Sequence, residues 1–366
     1  MVEEKKRILK LVEAGKLSAE EALTLIELLE EDTSQKQQKE TALTTEVLFN
    51  SDEWKEEKEP SSKQKQSTIA SKLVDWIDTA VKKVKELDID MALGQSYDVT
   101  HIFQIRDDQV RDLDIKINYG SVSLQTWNEE DFRVECDAKV YRVENQDEAR
   151  KVFLDSLVCD AEGSKLRVYS EKKAMKANLT IYVPAKEYDQ VLIKLFNGPI
   201  RGEHLTIGQL KAKTANGILS FSTLNGEKAD LETANGQIKV TDTTAAIEAE
   251  TINGMISLTG TPKKLDLQSF NGNISVQLDQ DSCQNVYAKT TTGSVKLLIP
   301  VDCAVSGELK SNLGNVASHI ENINILHEKN ETIQKELKFQ SELMKSNAVS
   351  IYAESKTGSV TLSNKR

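Results

Sequence analysis

The chain has 366 residues, of which 39% are hydrophobic, 5% aromatic and 29% charged, with a net charge of −11. That length allows two or three domains or one elongated array with appendages, and so few aromatics argue against one large conventional globule. The charge is −5 over residues 1–68, −6 over 69–190 and zero over 191–366, and no basic stripe supplies the clustered Lys and Arg that phosphate neutralisation needs, so no nucleic-acid partner is expected.

The opening MVEEKKRILKLVEAGK has basic residues but no apolar core or small-residue cleavage site, which is not the pattern of an ordinary secretory signal. Residues 1–31 read as a helical hairpin. Ile8, Leu11 and Val12 share a face, Gly15 stands where a C-terminal cap belongs, and Ser18 with Glu21 forms a capping box for a second helix carrying Ala22, Leu25, Ile26 and Leu29. Residues 32–68 are rich in Gln, Lys, Glu, Ser and Thr and read as a flexible linker.

Over 69–88 the pattern becomes strongly amphipathic. Ile69, Leu73, Trp76, Ile77, Ala80 and Val84 fall on one helical face. That face is a candidate for a bilayer interface or a protein partner; the blander alternative is packing on its own domain or on a second copy. No run reaches the roughly 18–20 apolar residues of a membrane span. With four scattered cysteines in so long a chain, a reducing compartment is expected, and the location reads as cytoplasmic or peripherally membrane-associated. Surface exposure would need a route other than a standard signal.

From residue 95 onward one pattern recurs. "TANGILSF", "TANGQIKV", "TINGMISL" and "SFNGNISV" follow one another at 18–19 residues. With the glycine as origin, alternate positions carry the same types. Leu210, Ala212, Thr214 and Asn216 precede Gly217, and Leu219 and Phe221 follow it. Ile247, Ala249, Thr251 and Asn253 precede Gly254, and Ile256 and Leu258 follow it. The elbows are Gly120, Gly198, Gly217, Gly236, Gly254, Gly272, Gly293, Gly314 and Gly358, the Gly314 copy being degraded.

Two short strands meeting at a glycine, repeated at 18–21 residues, predict a mainly β fold: a parallel β-solenoid in which equivalent positions stack in columns. In-register Thr and Asn columns would hydrogen-bond along the stack. Glycine at the bend is expected to supply a positive φ.

Within this 95–366 domain, residues from about 121 to 190 break the pitch and are expected to cap the N-terminal end. There "NQDEARKVFLDSL" (145–157) reads as a short helix, and 177–198 as strand, turn and strand. A polar, helix-leaning insert is expected at about 319–349. The copy at Gly358 comes last in sequence and is expected to present an open edge for pairing with another chain. Cys283 and Cys303 fall 10 and 11 residues before Gly293 and Gly314, so neighbouring coils could bring them within disulfide reach, although two reduced thiols are the simpler reading.

No chemistry emerges. His101, His204, His319 and His327 are isolated, and no metal-ligand spacing, nucleophile elbow or phosphate loop is present. The acids at 107–108 and 129–131 read as a solvated rim, and residues 191–300 carry ten acidic and ten basic side chains with no visible clustering. No enzyme, cofactor or metal is expected.

A hairpin such as "EAGKLSAEEAL" followed by NG- and TG-punctuated β repeats resembles the YvlB/LiaX family of bacteria, over residues 1–31 and about 95–366. The resemblance implies a helical N-terminal domain joined to an adhesin-type β-strand-repeat domain. It also implies a non-enzymatic role in the cell-envelope stress response of Gram-positive bacteria, with a membrane stress-response protein or the bilayer surface as partner and self-association as a further expectation. The alternative is a surface-exposed, adhesin-like rod that binds polymers.

Overall fold

The computed structural model describes residues 95–170, 172–342 and 348–365. The helical hairpin, the linker and the apolar face from Ile69 to Val84 lie outside the described residues. Within them are 22 strands and one helix, and the strands belong to one hydrogen-bonded sheet.

Each glycine divides its repeat into a strand before the bend and a strand after it, and the two sets form two rows. The first row contains β2 (Asp112–Trp127) up to its Tyr119, β7 (Glu187–Asn197), the second halves of β8 (Ile200–Asn216) and β9 (Leu219–Asn235), then β11 (Ala246–Asn253), β13 (Lys264–Asn271) and β15 (Asn285–Thr292). The second row contains the later half of β2, the first halves of β8 and β9, then β10 (Ile238–Thr243), β12 (Ile256–Gly260), β14 (Ile274–Leu278) and β16 (Val295–Ile299). All these pairings are parallel and, apart from a shift between Val240 and Thr243 where β10 meets β12, in register: Leu210 sits beside Ala229, Thr214 beside Thr233, and Asn216 beside Asn235.

The alternation seen in the sequence is the interior. Ile193, Leu210, Leu231, Leu265 and Leu267 from the first row and Ile200, Leu219, Ile238 and Ile274 from the second are fully buried. Burying each such side chain contributes about 1.5–3 kcal/mol.

The polar columns hold the bends together. Thr233 Oγ1 donates to the carbonyl of Gly217 at 3.1 Å, Thr251 to Gly236 at 3.0 Å, Ser269 to Gly254 at 3.1 Å and Thr290 to Gly272 at 2.8 Å. Asn235, Asn253 and Asn271 each donate Nδ2 to the Oδ1 of the preceding asparagine, at 3.0, 2.7 and 3.0 Å. The buried Thr and Ser column and the half-buried Asn column are thereby satisfied repeat by repeat.

The glycines are required chiefly for a different reason from the expected one. Positive φ occurs at Gly120, Gly198 and Gly293 but not at the other elbows. What they share is close approach: a Cβ on Gly236 would lie 1.8 Å from the carbonyl oxygen of Gly217, and one on Gly254 1.8 Å from that of Gly236. The bends stack so tightly that any side chain would enter the neighbouring backbone.

Beyond β2, both rows end in antiparallel strands. In the first row β5 (Lys165–Ser170) pairs with β2 and carries β4 (Val158–Glu162) antiparallel on its far side. In the second, β6 (Met175–Pro184) pairs with β2, and β3 (Phe132–Tyr141) and β1 (Ser96–Ile105) follow antiparallel. Helix α1 (Gln146–Ser156) packs against β1 and β3. Asn145 caps it by accepting from the Glu148 amide at 2.9 Å, and Phe153 is fully buried on its inner face.

At the opposite end the order differs from the sequence. β21 (Val349–Ser355) pairs in parallel with β15 on one side and β17 (Val305–Ser311) on the other; β22 (Val360–Asn364) likewise lies between β16 and β18 (Val316–His319). The Gly358 repeat is therefore interior, and the expected open edge belongs to the Gly314 repeat, because equivalent columns let a later repeat enter between two earlier ones. The expected helix-leaning insert is a β-hairpin of β19 (Ile323–Asn330) and β20 (Lys335–Ser341). Alternation decides this: Leu337 and Phe339 are buried while Lys338 and Gln340 face out, a period of two that a helix would not satisfy.

Candidate functional site

The hairpin β19–β20 covers only the first row, where β20 pairs antiparallel with β17. Among the described strands β18 pairs with β22 alone, so its outer backbone edge is unpaired and the second row stops there. A cleft of about 410 Å³ opens between β18 and the hairpin. Val316, Ile320, Ile323, Ile325 and Leu337 line it, with Ser318 in the column that holds Phe221, Leu258, Leu297 and Leu362 in other repeats. It is the end of the interior itself, open to the outside.

The rim is polar and largely self-satisfied. Lys329 Nζ reaches Gln334 Oε1 at 2.8 Å and Glu331 at 3.2 Å, and Lys335 Nζ donates to Asn315 Oδ1 at 3.3 Å. Ser318 Oγ is buried without a hydrogen-bond partner. Ile325 and Leu326 next to the cleft are more than half exposed. A register shift at Leu326 interrupts the pairing of β19 with β20, and such a bulge bends the strand and discourages further pairing on its far side. The edge of β18 has no such protection.

A second feature lies on the outer face of the first row, at the positions six and four before each glycine. Lys211 and Lys213 are followed on successive repeats by Asp230 and Glu232, Glu248 and Glu250, then Asp266. Ion pairs link Lys213 to Glu232 at 2.8 Å and Lys228 to Glu248 at 3.0 Å. Burial raises the carboxyls of Asp230 and Asp266 above the usual range, partly opposed by Lys211 at Asp230 and by the Gln268 hydrogen bond at Asp266. The charges expected to be unclustered are thus aligned. The strip occupies the positions between the apolar ones, so the apolar alternation alone does not reveal it.

The predicted elbows converge on one ladder, ordered Gly120, Gly198, Gly217, Gly236, Gly254, Gly272, Gly293, Gly358, Gly314. The histidines do not converge: His101 stacks edge-on with Phe103 at 4.5 Å, and His204, His319 and His327 lie on separate strands. Among the described residues no group of three or more His, Cys, Asp or Glu is arranged to hold a metal ion. Burial pushes the thiols of Cys136, Cys159 and Cys283 up to about 12, so these three are poor nucleophiles near neutrality. Acids 107–108 and 129–131 lie in connections between strands, Asp108, Glu129 and Glu130 exposed and Asp107 and Asp131 half-buried, and Arg106 pairs with Glu130. No described helix is long and apolar enough to cross a membrane.

Comparison with known proteins gives three results. The family model described as Toastrack DUF4097 matches residues 141–363, and a SHOCT-like domain matches residues 3–34. An uncharacterized protein, YvlB of Bacillus subtilis (strain 168), is 50% identical over 363 residues, 99% of each chain. Two solved structures are more distant. One, from Bacteroides fragilis NCTC 9343 and provisionally described as an adhesin, has 14% identity and a TM-score of 0.31, covering 74% of this chain and 97% of its own. The other, from Parabacteroides distasonis ATCC 8503 and provisionally described as lipid-binding, has 12% identity and a TM-score of 0.35, covering 75% and 98%.

Proposed function

The chain belongs to the Toastrack DUF4097 family, and on that premise we propose that it is a binding protein without catalytic machinery whose partner site is the cleft beside β18. We place it in the cell-envelope stress response, following its resemblance to the YvlB/LiaX proteins. In this reading the two rows close into a β-solenoid, and the amphipathic segment 69–88 brings the molecule to a membrane-associated partner or to the bilayer.

The observation that supports the site is the unpaired edge of β18 next to a cleft that combines aliphatic side chains, among them Val316, Ile320 and Ile323, with polar ones, among them Glu328, Lys329 and Glu336. An open edge is satisfied by one more strand, with backbone hydrogen bonds giving affinity and side-chain pockets giving selectivity. The occupant is an extended peptide segment of a membrane stress protein. Aliphatic residues at alternate positions would fit over Val316, Ser318 and Ile320.

The test is a photo-crosslinking residue at Ala317 in intact cells, with the products identified by mass spectrometry. A crosslink to a membrane stress protein, lost when Val316 and Ile323 are both changed to Asp, is the expected result. Labelling of wall polymer instead would favour the adhesin-like rod, and labelling no greater than at the remote position Ser220 would remove the cleft as a site. Replacing Trp76 and Ile77 by Asp should separately release the protein from the membrane fraction.

A further inference from the structure

The Gly358 repeat is gripped on both sides. Ser355 Oγ donates to the carbonyl of Gly293 at 2.7 Å, and Ser311 Oγ donates to the carbonyl of Gly358 at 2.8 Å. Tyr352 stacks on Tyr287 with ring centres 5.2 Å apart and planes 8° from parallel, and Lys289 pairs with Glu354 at 3.1 Å. Among the described strands, residues 305–341 pair with the remainder of the stack through β21 and β22 alone.

Yet the two faces that this repeat separates match each other. Gly314 follows Gly293 by 21 residues, the interval by which Gly293 follows Gly272, on which it stacks directly. Ser311 stands in the same column as Ser355 and Thr290, Leu309 in that of Ala353 and Ala288, and Val316 in that of Val360 and Val295. The carbonyl of Gly293 that accepts from Ser355 would accept equally from Ser311.

Order of synthesis gives this match consequence. At about 5–20 residues per second, roughly 2–9 s pass between completion of Gly314 and completion of Gly358, 44 residues later. Hairpin-scale strand pairing takes microseconds.

We propose that the Gly314 repeat has two seats. It stacks first directly on the Gly293 repeat, and then yields that place to the Gly358 repeat, which enters as a wedge and carries residues 305–341 outward by one strand spacing, about 4.8 Å. The N-terminal end needs no such insertion, because β7 adds to the free side of β2 after β5 and β6 have taken the other.

Engineered cysteines distinguish the seats in the full chain. Tyr287, Tyr352 and Glu308 occupy one column on three adjacent strands. The pair Tyr287→Cys with Glu308→Cys spans two strand spacings in the final structure, about 9.6 Å, beyond the roughly 7 Å limit of a disulfide, but one spacing in the first seat. Tyr352→Cys with Glu308→Cys spans one spacing only after the wedge has entered. During refolding with oxidant added after increasing delays, an intramolecular 287–308 bond should form early and be lost at long delays, while the 352–308 bond in the second variant rises. Adding Gly358→Val, whose Cβ would lie 1.9 Å from the Gly293 carbonyl oxygen, should block the wedge and make 287–308 the persistent product. Absence of the 287–308 bond at every delay and in the Gly358→Val background overturns the proposal. So does its appearance only between two copies, which would mean exchange of repeats rather than reseating.

Discussion

At the N-terminal end, antiparallel strands finish both rows and helix α1 closes over β1 and β3; at the other end, the hairpin β19–β20 finishes the first row and leaves the second bare. The interior columns running into the two ends are of the same kind. What differs is the reversal of strand direction that terminates a row. Parallel strands perpetuate the column pattern and always leave an equivalent edge, whereas an antiparallel strand presents a different hydrogen-bond pattern and lets polar residues take over. A stack of repeats thus needs two stops per end, and three of the four are present among the described residues. The cleft is the place of the missing stop.

Substitutions at the two ends should differ most at the glycines. Gly120→Val would drive a Cβ to 1.7 Å from the Ala177 carbonyl oxygen at a φ of +137°, with the capping strand β6 on one side and the Gly198 repeat on the other. It should cost at least about 4 kcal/mol and abolish cooperative urea unfolding. Gly314→Val meets the Gly358 carbonyl at 2.0 Å but closes the ladder, so hydrogen exchange should show opening confined to residues 305–341. An equal loss from both would break the comparison.

Next in size are the anchors of the two caps. Phe153→Ala on the buried face of α1 should destabilise by about 3–5 kcal/mol, and Leu337→Ala beside the cleft by about 2 kcal/mol, both from denaturant midpoints. Ser318→Val should go the other way. It replaces a buried, unpartnered hydroxyl with the side chain the column carries elsewhere, and should stabilise by up to about 1 kcal/mol.

The smallest expected effects are pH-dependent and opposite in sign. Burial holds Asp266 above the ordinary carboxylate value of 3.8, so its contribution to stability is present below that value and lost as pH rises through its raised pKa. Asp266→Asn should therefore stabilise at neutral pH, with the gain vanishing in acid. Asp279 is held below 3.8 chiefly by its hydrogen bond from Lys365, so that tie acts above the ordinary value and is lost as pH falls. Lys365→Ala should cost well under about 1 kcal/mol at pH 7, as exposed pairs do, and nothing in strong acid. Thermal midpoints across pH would check both.

The columns, the Thr and Asn ladders and the short helix at 145–157 were legible because each rests on local spacing. The position of Gly358 was not, for the same physical reason that makes the columns readable: Val349, Ile351, Ala353 and Ser355 suit any neighbouring repeat equally well, so periodicity reveals who can stack but not in what order. The hairpin at 323–341 was hidden by its polar composition, since only Leu337 and Phe339 of it are buried. The cleft was invisible because an unfilled row is a property of the partner strand that is missing from it, and no residue of β18 announces that absence.

The glycine ladder also makes the molecule countable. Each rung presents the same carbonyl and the same close approach to the next, so removing residues 237–254 would seat Gly272 on Gly236 with no contact of a new kind. Length in this fold is a number of rungs that insertion or deletion of one repeat can change by a unit, leaving the chemistry of both ends untouched.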